Sequence, residues 1–497
     1  LTREEVLGAS ILAVYPADPD LEYFEKMPPL GMLWLGGELR RAGHAVTFVD
    51  QQVDGRDPVA LSGEIQPSLV LIGGTSHSRF LSFDLASRVK ERSAEAVVVY
   101  GGPHATFTAD DTLEHVPAID VIVRGEGEES CLELAAWAEG GGRPAELSRI
   151  KGISYRDEGR IVHNPPRPPR RDLEALGAPA RDLVPYGRYN MNMEYLEDVP
   201  GASIMTARGC PIACTFCSAS AMFGSSYRAR SPAAVGDEVE DLVTNYGARG
   251  IKIFDSTFTL NRRHAEGFCD ELRRRGIDVP WECEIRVDTV DEALLSRMRD
   301  AGCYYVDVGV EAGSQRVLDQ CVRKRITLEQ AERVLRWCDE LGLLTKAFFT
   351  LGHPGETYAE AKRTNRFIRR NRKYVRLFGY HAGVKVYPGT YVEEYARDQD
   401  LLPEGFRWSA PYLNEEQRKL FRNPDNVPIL LQPGLGIREL RKLRIGFILM
   451  RLMSPRFVFE KIKGILRGRA LGDYFRVITR GLGAGKEKVL DGDPVSP

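Results

Sequence analysis

Three cysteines share one short stretch, Arg208-Gly-Cys210-Pro-Ile-Ala-Cys214-Thr-Phe-Cys217. Thiols this close on one loop do not readily form mutual disulfides, and as thiolates they repel one another unless a metal takes them. Soft sulfur ligands suit an iron–sulfur cluster or zinc. A structural zinc wants a fourth protein ligand, and none lies nearby in the sequence. A [4Fe–4S] cluster held by three cysteines leaves one iron open to another ligand. Three unrelated thiols, or a zinc knuckle completed from afar, are the alternatives. The other cysteines, Cys131, Cys269, Cys283, Cys303, Cys321 and Cys338, share no spacing and sit in apolar stretches, where a free thiol behaves as a small hydrophobe.

Two further patterns carry chemistry. Glu284 and Arg286 alternate with apolar neighbours in Trp281-Glu-Cys-Glu-Ile-Arg286, so both face one side of a strand. Charges on the inner face of a barrel are costly unless they meet a polar ligand or each other. Glu311, in Gly309-Val-Glu-Ala-Gly-Ser314, has the same two readings. Near the front of the chain, three apolar runs end in glycine: Gly73-Gly74-Thr75-Ser76-His77, Gly101-Gly102-Pro103-His104 and Gly125-Glu126-Gly127. Three such ends in succession favour the close approach of a bulky ligand over turn chemistry alone. The expected contacts are Gly74, Ser76, His77, Gly101, Gly102, Pro103, Gly125 and Glu126, with His77 hydrogen-bonding at its strand end.

The elements that must position these residues form two alternating series. Ile11–Tyr15, Ala45–Val49, Leu69–Ile72, Ala96–Tyr100 and Val121–Val123 alternate with helical patterns and predict a doubly wound parallel sheet, whose ligands sit beyond the carboxyl ends of the strands. A hairpin over Ile153–His163 and the proline-dense stretch from Asn164 to Arg171, read as a stiff linker, follow. A second series, with strands at Ser203–Ala207, Ile251–Phe254, Pro280–Ile285, Tyr304–Val310, Thr345–Thr350 and Leu377–Val386, predicts an open six-unit version of a parallel barrel. The expected division is 1–150, 151–195 for hairpin and linker, 196–395 for the barrel and 396–497 for a helical region, all of α/β class.

The cysteine stretch after a strand, in a partial barrel, resembles the signature of the radical S-adenosylmethionine (AdoMet) enzymes. The front region resembles the flavodoxin- or Rossmann-like cobalamin module of their class B, through Met27-Pro-Pro-Leu-Gly31, Gly43-His44-x-Val46 to Asp50, and Gly101-Gly-Pro-His-Ala-Thr-Phe107. The resemblance implies a [4Fe–4S] cluster on Cys210, Cys214 and Cys217, AdoMet and cobalamin. Phe216 would then pack near the adenine. Asp255 would face the methionine ammonium, unless it caps the helix before Arg262. Glu284, Arg286, Glu311, Gly352 and Tyr387 complete the expected AdoMet surroundings, the last two from Gly352-His-Pro-Gly-Glu-Thr357 and Tyr387-Pro-Gly-Thr390. The implied activity is methylation of an unactivated carbon or of phosphorus in a small molecule, through a 5′-deoxyadenosyl radical and methylcobalamin. A cobalamin-dependent cyclase acting in tetrapyrrole formation, and a non-catalytic sensor, are the alternatives. An external one-electron donor of flavodoxin or ferredoxin type is implied as well. Many cobalamin proteins carry an Asp-x-His-x-x-Gly loop, but no histidine lies between Tyr15 and Gly31, so cobalamin is expected without a protein imidazole on cobalt.

Composition fits this frame. The chain has 497 residues, nine cysteines and a net charge of −2, which excludes a disulfide scaffold and argues against a nucleic-acid partner. No apolar stretch approaches a membrane span, and no secretory signal pattern opens the sequence, so a cytoplasmic enzyme is expected. The segment from Arg438 to Arg480 carries +9 and the rest −11. Apolar residues recur there at helical spacing, which predicts a basic amphipathic helix packed on the barrel, with peripheral membrane contact as an open but unexpected alternative. Trp408 and Tyr412 are candidate pocket or core aromatics.

Overall fold

The computed structural model describes residues 8–17, 26–196, 198–411 and 427–452. Tyr412 and the basic segment beyond residue 452 lie outside the described residues. The first sheet contains β1 (Ser10–Tyr15), β2 (Ala45–Asp50), β3 (Leu69–Gly73), β4 (Val97–Gly101), β5 (Val121–Val123), β6 (Ile153–Asp157) and β7 (Arg160–His163). Their order is β2-β1-β3-β4-β5-β6-β7, with the first five parallel and the hairpin β6–β7 added antiparallel. The hairpin therefore belongs to this sheet, which reaches His163. Ile11, Leu12, Ala13 and Val14 are all essentially inaccessible, as expected for a strand covered by helices on both faces. Separate apolar clusters fill the two faces. Strand order reverses between β1 and β3, and the crevice this opens lies at the glycine-bearing ends.

The proline-dense stretch is extended, but it is bound along this sheet rather than free. Asn164 donates to the carbonyls of Leu147 and Ile150, and Arg167 pairs with Glu129 at 2.9 Å.

The second sheet is formed by β8 (Gly201–Ile204), β11 (Gly250–Ile253), β12 (Trp281–Ile285), β13 (Cys303–Glu311), β14 (Leu344–Leu351) and β15 (Leu377–Ala382), while β9 (Ala207–Arg208) and β10 (Arg228–Ala229) pair separately. All six strands are parallel, in chain order, with β8 and β15 at opposite edges. This is a partial barrel that does not close. Helices are started by side-chain caps at Ser231, Asn261 and Asp291, and by reciprocal capping boxes at Thr327/Gln330 and Thr357/Glu360, each contributing about 1 kcal/mol. Beneath these helices the outward residues of the strands, Trp281, Cys283, Ile285, Val306, Val308 and Phe349, are buried. The inward residues are largely charged. All six cysteines outside the loop are free and buried.

The helix Ile437–Leu452 opens the basic segment. It buries Leu440, Leu443 and Phe447, and Phe447 stacks on Tyr380 with centroids 4.0 Å apart. This part of the tail is packed on the barrel. Among the described residues no helix is long and apolar enough to cross a membrane.

Candidate active site

The cysteine loop leaves the carboxyl end of β8 and is tied down before its first thiol. Asp255, just beyond β11, accepts the backbone N–H groups of Thr206 (2.6 Å) and Ala207 (3.0 Å) on one oxygen and the Thr206 hydroxyl on the other. Thr206 Oγ1 also lies 2.7 Å from His264 Nε2. Asp255 is thus an anchor for this strand end, and the helix cap before Arg262 is Asn261 instead. Burial pushes the Asp255 carboxyl up to about 6. Gly209 then turns the chain with φ +90°, and a side chain there would strike the Ser226 carbonyl. Farther along, Thr215 donates its N–H to the Val322 carbonyl and its hydroxyl to that of Cys321.

Cys210 is buried, Cys214 partly buried and Cys217 exposed. Burial pushes the Cys214 thiol up to about 11, with Lys324 and Arg286 pulling the other way. Among the described residues no three His, Cys, Asp or Glu side chains converge on a single ion position. A cubane offers a separate iron to each of three thiolates on one loop, whereas a structural zinc asks for a fourth protein ligand.

Facing this loop are the strand ends of the barrel. Glu311, at φ +70°, forms a buried ion pair with Lys324 at 2.7 Å, so the internal salt bridge is realised there. Arg286 donates to the Lys324 carbonyl (2.8 Å) and to Asp288 (2.9 Å), while its buried Nε has no partner. Glu284 stands one step deeper on β12, in register with Asp307. Solvent reaches it from the barrel interior. Yet surrounding protein desolvates it, and with Asp307 beside it this pushes the carboxyl up to about 7. The Phe216 ring lies 5.6 Å from that of His353. His353 is fully buried, neither ring nitrogen has a hydrogen-bond partner, and burial lowers its pKa to about 4, so it is neutral. The Gly352 and His353 amides both donate to Glu356, which fixes this turn.

Lys324 and His353 were not among the residues expected from the sequence to serve the site. His353 belongs to the Gly352-His-Pro-Gly-Glu-Thr357 turn, where its neighbours carry the pattern and the histidine itself gives no signal. Lys324 sits in a run of three basic residues that reads as an ordinary solvated face.

The glycine-bearing ends of β3, β4 and β5 border a cavity with about 1110 Å³ of empty space, part of it open to solvent. Gly74, Gly101, Gly102, Pro103, Gly125 and Glu126 all line it. Gly102 has φ +103°, and a Cβ there would stand 2.5 Å from the Gly74 carbonyl oxygen, so the two glycine turns interlock. Ser76 and His77 are not in the lining. Ser76 Oγ lies 3.0 Å from His104 Nδ1, and His77 Nε2 lies 3.0 Å from the Tyr387 hydroxyl. Two residues expected to serve different ligands thus meet each other across the sheets. Glu126 holds Arg228 at 2.6 Å, and Glu128 holds Arg208 at 2.7 Å, with all four side chains buried. The far wall is Met205, Arg208, Met222 and Phe223, which flank the cysteine loop on both sides. Among the described residues the lining contains no histidine.

Comparison with known proteins follows the same division. The sequence model of the Radical SAM superfamily matches residues 204–368, and that of the B12 binding domain matches residues 21–135. An uncharacterized methyltransferase of Pyrococcus horikoshii is 33% identical over 88% of this chain and 94% of its own length. The anaerobic magnesium-protoporphyrin IX monomethyl ester cyclase of Rubrivivax gelatinosus is 32% identical over 69% of this chain, which spans only 62% of that protein. Among solved structures, the radical AdoMet methyltransferase TsrM from Kitasatospora setae, with cobalamin and a [4Fe–4S] cluster bound, superposes with a TM-score of 0.69 at 21% identity, covering 90% of each chain.

Proposed function

The chain belongs to the class B, cobalamin-binding family of radical AdoMet enzymes, and from that premise we propose that it methylates an unactivated carbon, or phosphorus, of a small-molecule metabolite. Its cofactors are a [4Fe–4S] cluster, AdoMet and cobalamin. Bound together, these groups supply a reductively generated radical and a methyl carrier in one enclosure.

The residues fit that inventory. Cys210, Cys214 and Cys217 would hold the cluster. Phe216 and neutral His353 form an apolar wall with unpartnered ring nitrogens, suited to a nucleobase edge. The unpartnered Arg286 Nε and the Lys324–Glu311 pair offer charges for an amino-acid end. Gly74, Gly101, Gly102, Pro103 and Gly125 let a large flat ligand approach the first sheet closely. The observation that carries the reading is the shared wall. Met205, Arg208, Met222 and Phe223 belong to the segment that bears the cysteines and also close the glycine cavity, so whatever occupies the cavity lies beside the cluster loop.

Reduction calls for an external one-electron donor of flavodoxin or ferredoxin type, and such chemistry belongs in a reducing cytoplasm. Ring closure without methyl transfer is the second reading, favoured by the cyclase relative but weakened by how little of that protein this chain spans.

Anaerobic reconstitution tests the proposal. About four irons per chain, retained cobalamin and reductive release of 5′-deoxyadenosine are expected, with release abolished in Cys214→Ala. S-adenosylhomocysteine formed alongside marks methyl transfer. Its consistent absence with a turned-over substrate would leave the cyclase reading.

A further inference from the structure

The inner face of the barrel carries an acidic pair, Glu284 and Asp307, that no direct ion pair closes among the described residues, although Lys346 and Lys324 lie near enough to act on it. Register places Glu284 of β12 beside Asp307 of β13, and Asp307 beside Lys346 of β14. Neighbouring positions on the same face do pair. Lys252 meets Glu282 at 3.4 Å, and Lys324 meets Glu311 at 2.7 Å. Lys346 is within reach of Asp307 in register, yet it directs its ammonium over the face of Phe348, 5.0 Å from the ring centroid. Glu284 forms no ion pair among the described residues. The buried Oδ1 of Asp307 accepts no hydrogen bond.

A second, independent group points the same way. Tyr305 lies two residues before Asp307 on β13, so its side chain projects from the same face. It is 1% exposed, and its hydroxyl, which makes no hydrogen bond of ordinary length, is directed at Asp307, its strongest charged neighbour. A buried carboxylate oxygen short of a donor is unfavourable, and a ligand bearing several N–H donors would satisfy it and reach the Tyr305 oxygen as well.

The walls beside the pair are aromatic and accessible. Phe254 is 39% exposed, an unusual state for a phenylalanine following a buried strand. Phe348 lies flat on Gly379, whose hydrogen leaves the room for it, since any Cβ there would strike the ring. An acidic step beside the exposed Phe254 ring is a setting that recognises an organic cation, both by charge and through the ring face, and the Lys346 ammonium already uses the Phe348 ring in that way.

We infer that Glu284 and Asp307, with the Tyr305 hydroxyl, bind an ammonium or guanidinium group of the substrate, and that Phe254 receives the apolar part attached to it. This rests on the methyltransferase reading above and names the substrate class for that site: a small amine carrying an aromatic or aliphatic body. AdoMet also carries an ammonium, but the charged side chains that act most strongly on the Cys214 thiol are Lys324, Arg286 and Glu311, not Glu284 or Asp307.

The test uses the full chain reconstituted with cluster and cobalamin. Calorimetric titration with phenethylamine, and with phenylacetate as the anionic counterpart, is compared across the native protein, Glu284→Gln, Asp307→Asn and the double variant. AdoMet is titrated in parallel. Millimolar or tighter binding of the amine is expected, with at least tenfold preference over the acid and at least tenfold loss in the double variant, while AdoMet affinity stays within threefold. Equal binding of amine and acid, no amine binding at all, or indifference to the substitutions overturns the inference. A parallel tenfold loss of AdoMet also overturns it, by assigning the pair to the cofactor. Iron and cobalamin contents of the same preparations report separately on the proposed function.

Discussion

Asp255 offers a sharp test of how the cysteine strand is held. Its carboxyl is pushed from 3.8 to about 6 by burial, so the native state binds this proton more tightly than the unfolded chain does. Stability therefore falls as pH rises from about 4 to about 6, and is flat above. Two pKa units correspond to about 3 kcal/mol in total, of which roughly half accrues between pH 5 and 8. Asparagine removes this titration but keeps the geometry. Its carbonyl accepts the Thr206 and Ala207 amides, and its NH₂ donates to Thr206 Oγ1, whose own hydrogen turns to His264 Nε2. Alanine leaves two buried N–H groups without an acceptor, at about 1–3 kcal/mol each. The assay is anaerobic urea unfolding of the three proteins at pH 5 and 8, with iron content measured after reconstitution. Asp255→Asn should gain about 1–2 kcal/mol relative to the native protein on going from pH 5 to 8 and load iron normally. Asp255→Ala should lose about 2–6 kcal/mol at pH 8 and load less. If the asparagine variant keeps a constant offset from the native protein at both pH values, the buried-anchor reasoning is wrong. Normal stability with weakened AdoMet binding would instead return Asp255 to the cofactor.

Three further outcomes follow from the same geometry. Gly102→Ala forces a side chain into a positive-φ turn against the Gly74 carbonyl, so the protein should lose about 1–3 kcal/mol and release cobalamin on gel filtration, visible in the corrin absorbance. Arg228→Met takes the nearer arginine from the buried Glu126 carboxylate, leaving Arg208 at 3.8 Å, and should cost about 3 kcal/mol in urea unfolding, the low end for a broken buried pair, with Glu126→Gln added to it restoring much of the loss. Tyr387→Phe removes the hydroxyl that meets His77 and should cost only about 0.5–1.5 kcal/mol, with iron and cobalamin contents unchanged; a large loss of either would give that contact a greater role than a hydrogen bond between sheets.

Local patterns in the sequence reported local structure well. The apolar runs at Ile11–Tyr15 and Leu69–Ile72 are β1 and β3 because a strand buried on both faces must be apolar throughout. The glycines at 74, 101, 102 and 125 do line one cavity. What the sequence could not display was pairing over long separations. Glu311 looks the same in sequence whether it meets a ligand or Lys324, and the choice depends on a residue from a different loop. Glu126 borders the cavity as expected, yet its charge is committed to Arg228, 102 positions away. Ser76 and His77 follow a glycine pair that lines the cavity, but the helix start at Arg79 turns them away from it, toward His104 and Tyr387. The run Leu377–Val386 is one apolar stretch in sequence, but β15 ends at Ala382, where Gly383 breaks the strand at φ +129°.

Arg208 precedes the first cysteine by two positions, reaches back to Glu128 of the first sheet, and places its guanidinium over Trp34 at 5.2 Å. Arg228, from the strand paired with β9, does the same toward Glu126. The front sheet is therefore no detachable cassette. Parting the two halves would break both ion pairs at the root of the cysteine loop and uncover the Trp34 face, so the grip on that loop is shared between them. The two arginines make the segment that bears the cysteines a common boundary, belonging as much to the front half of the molecule as to the barrel.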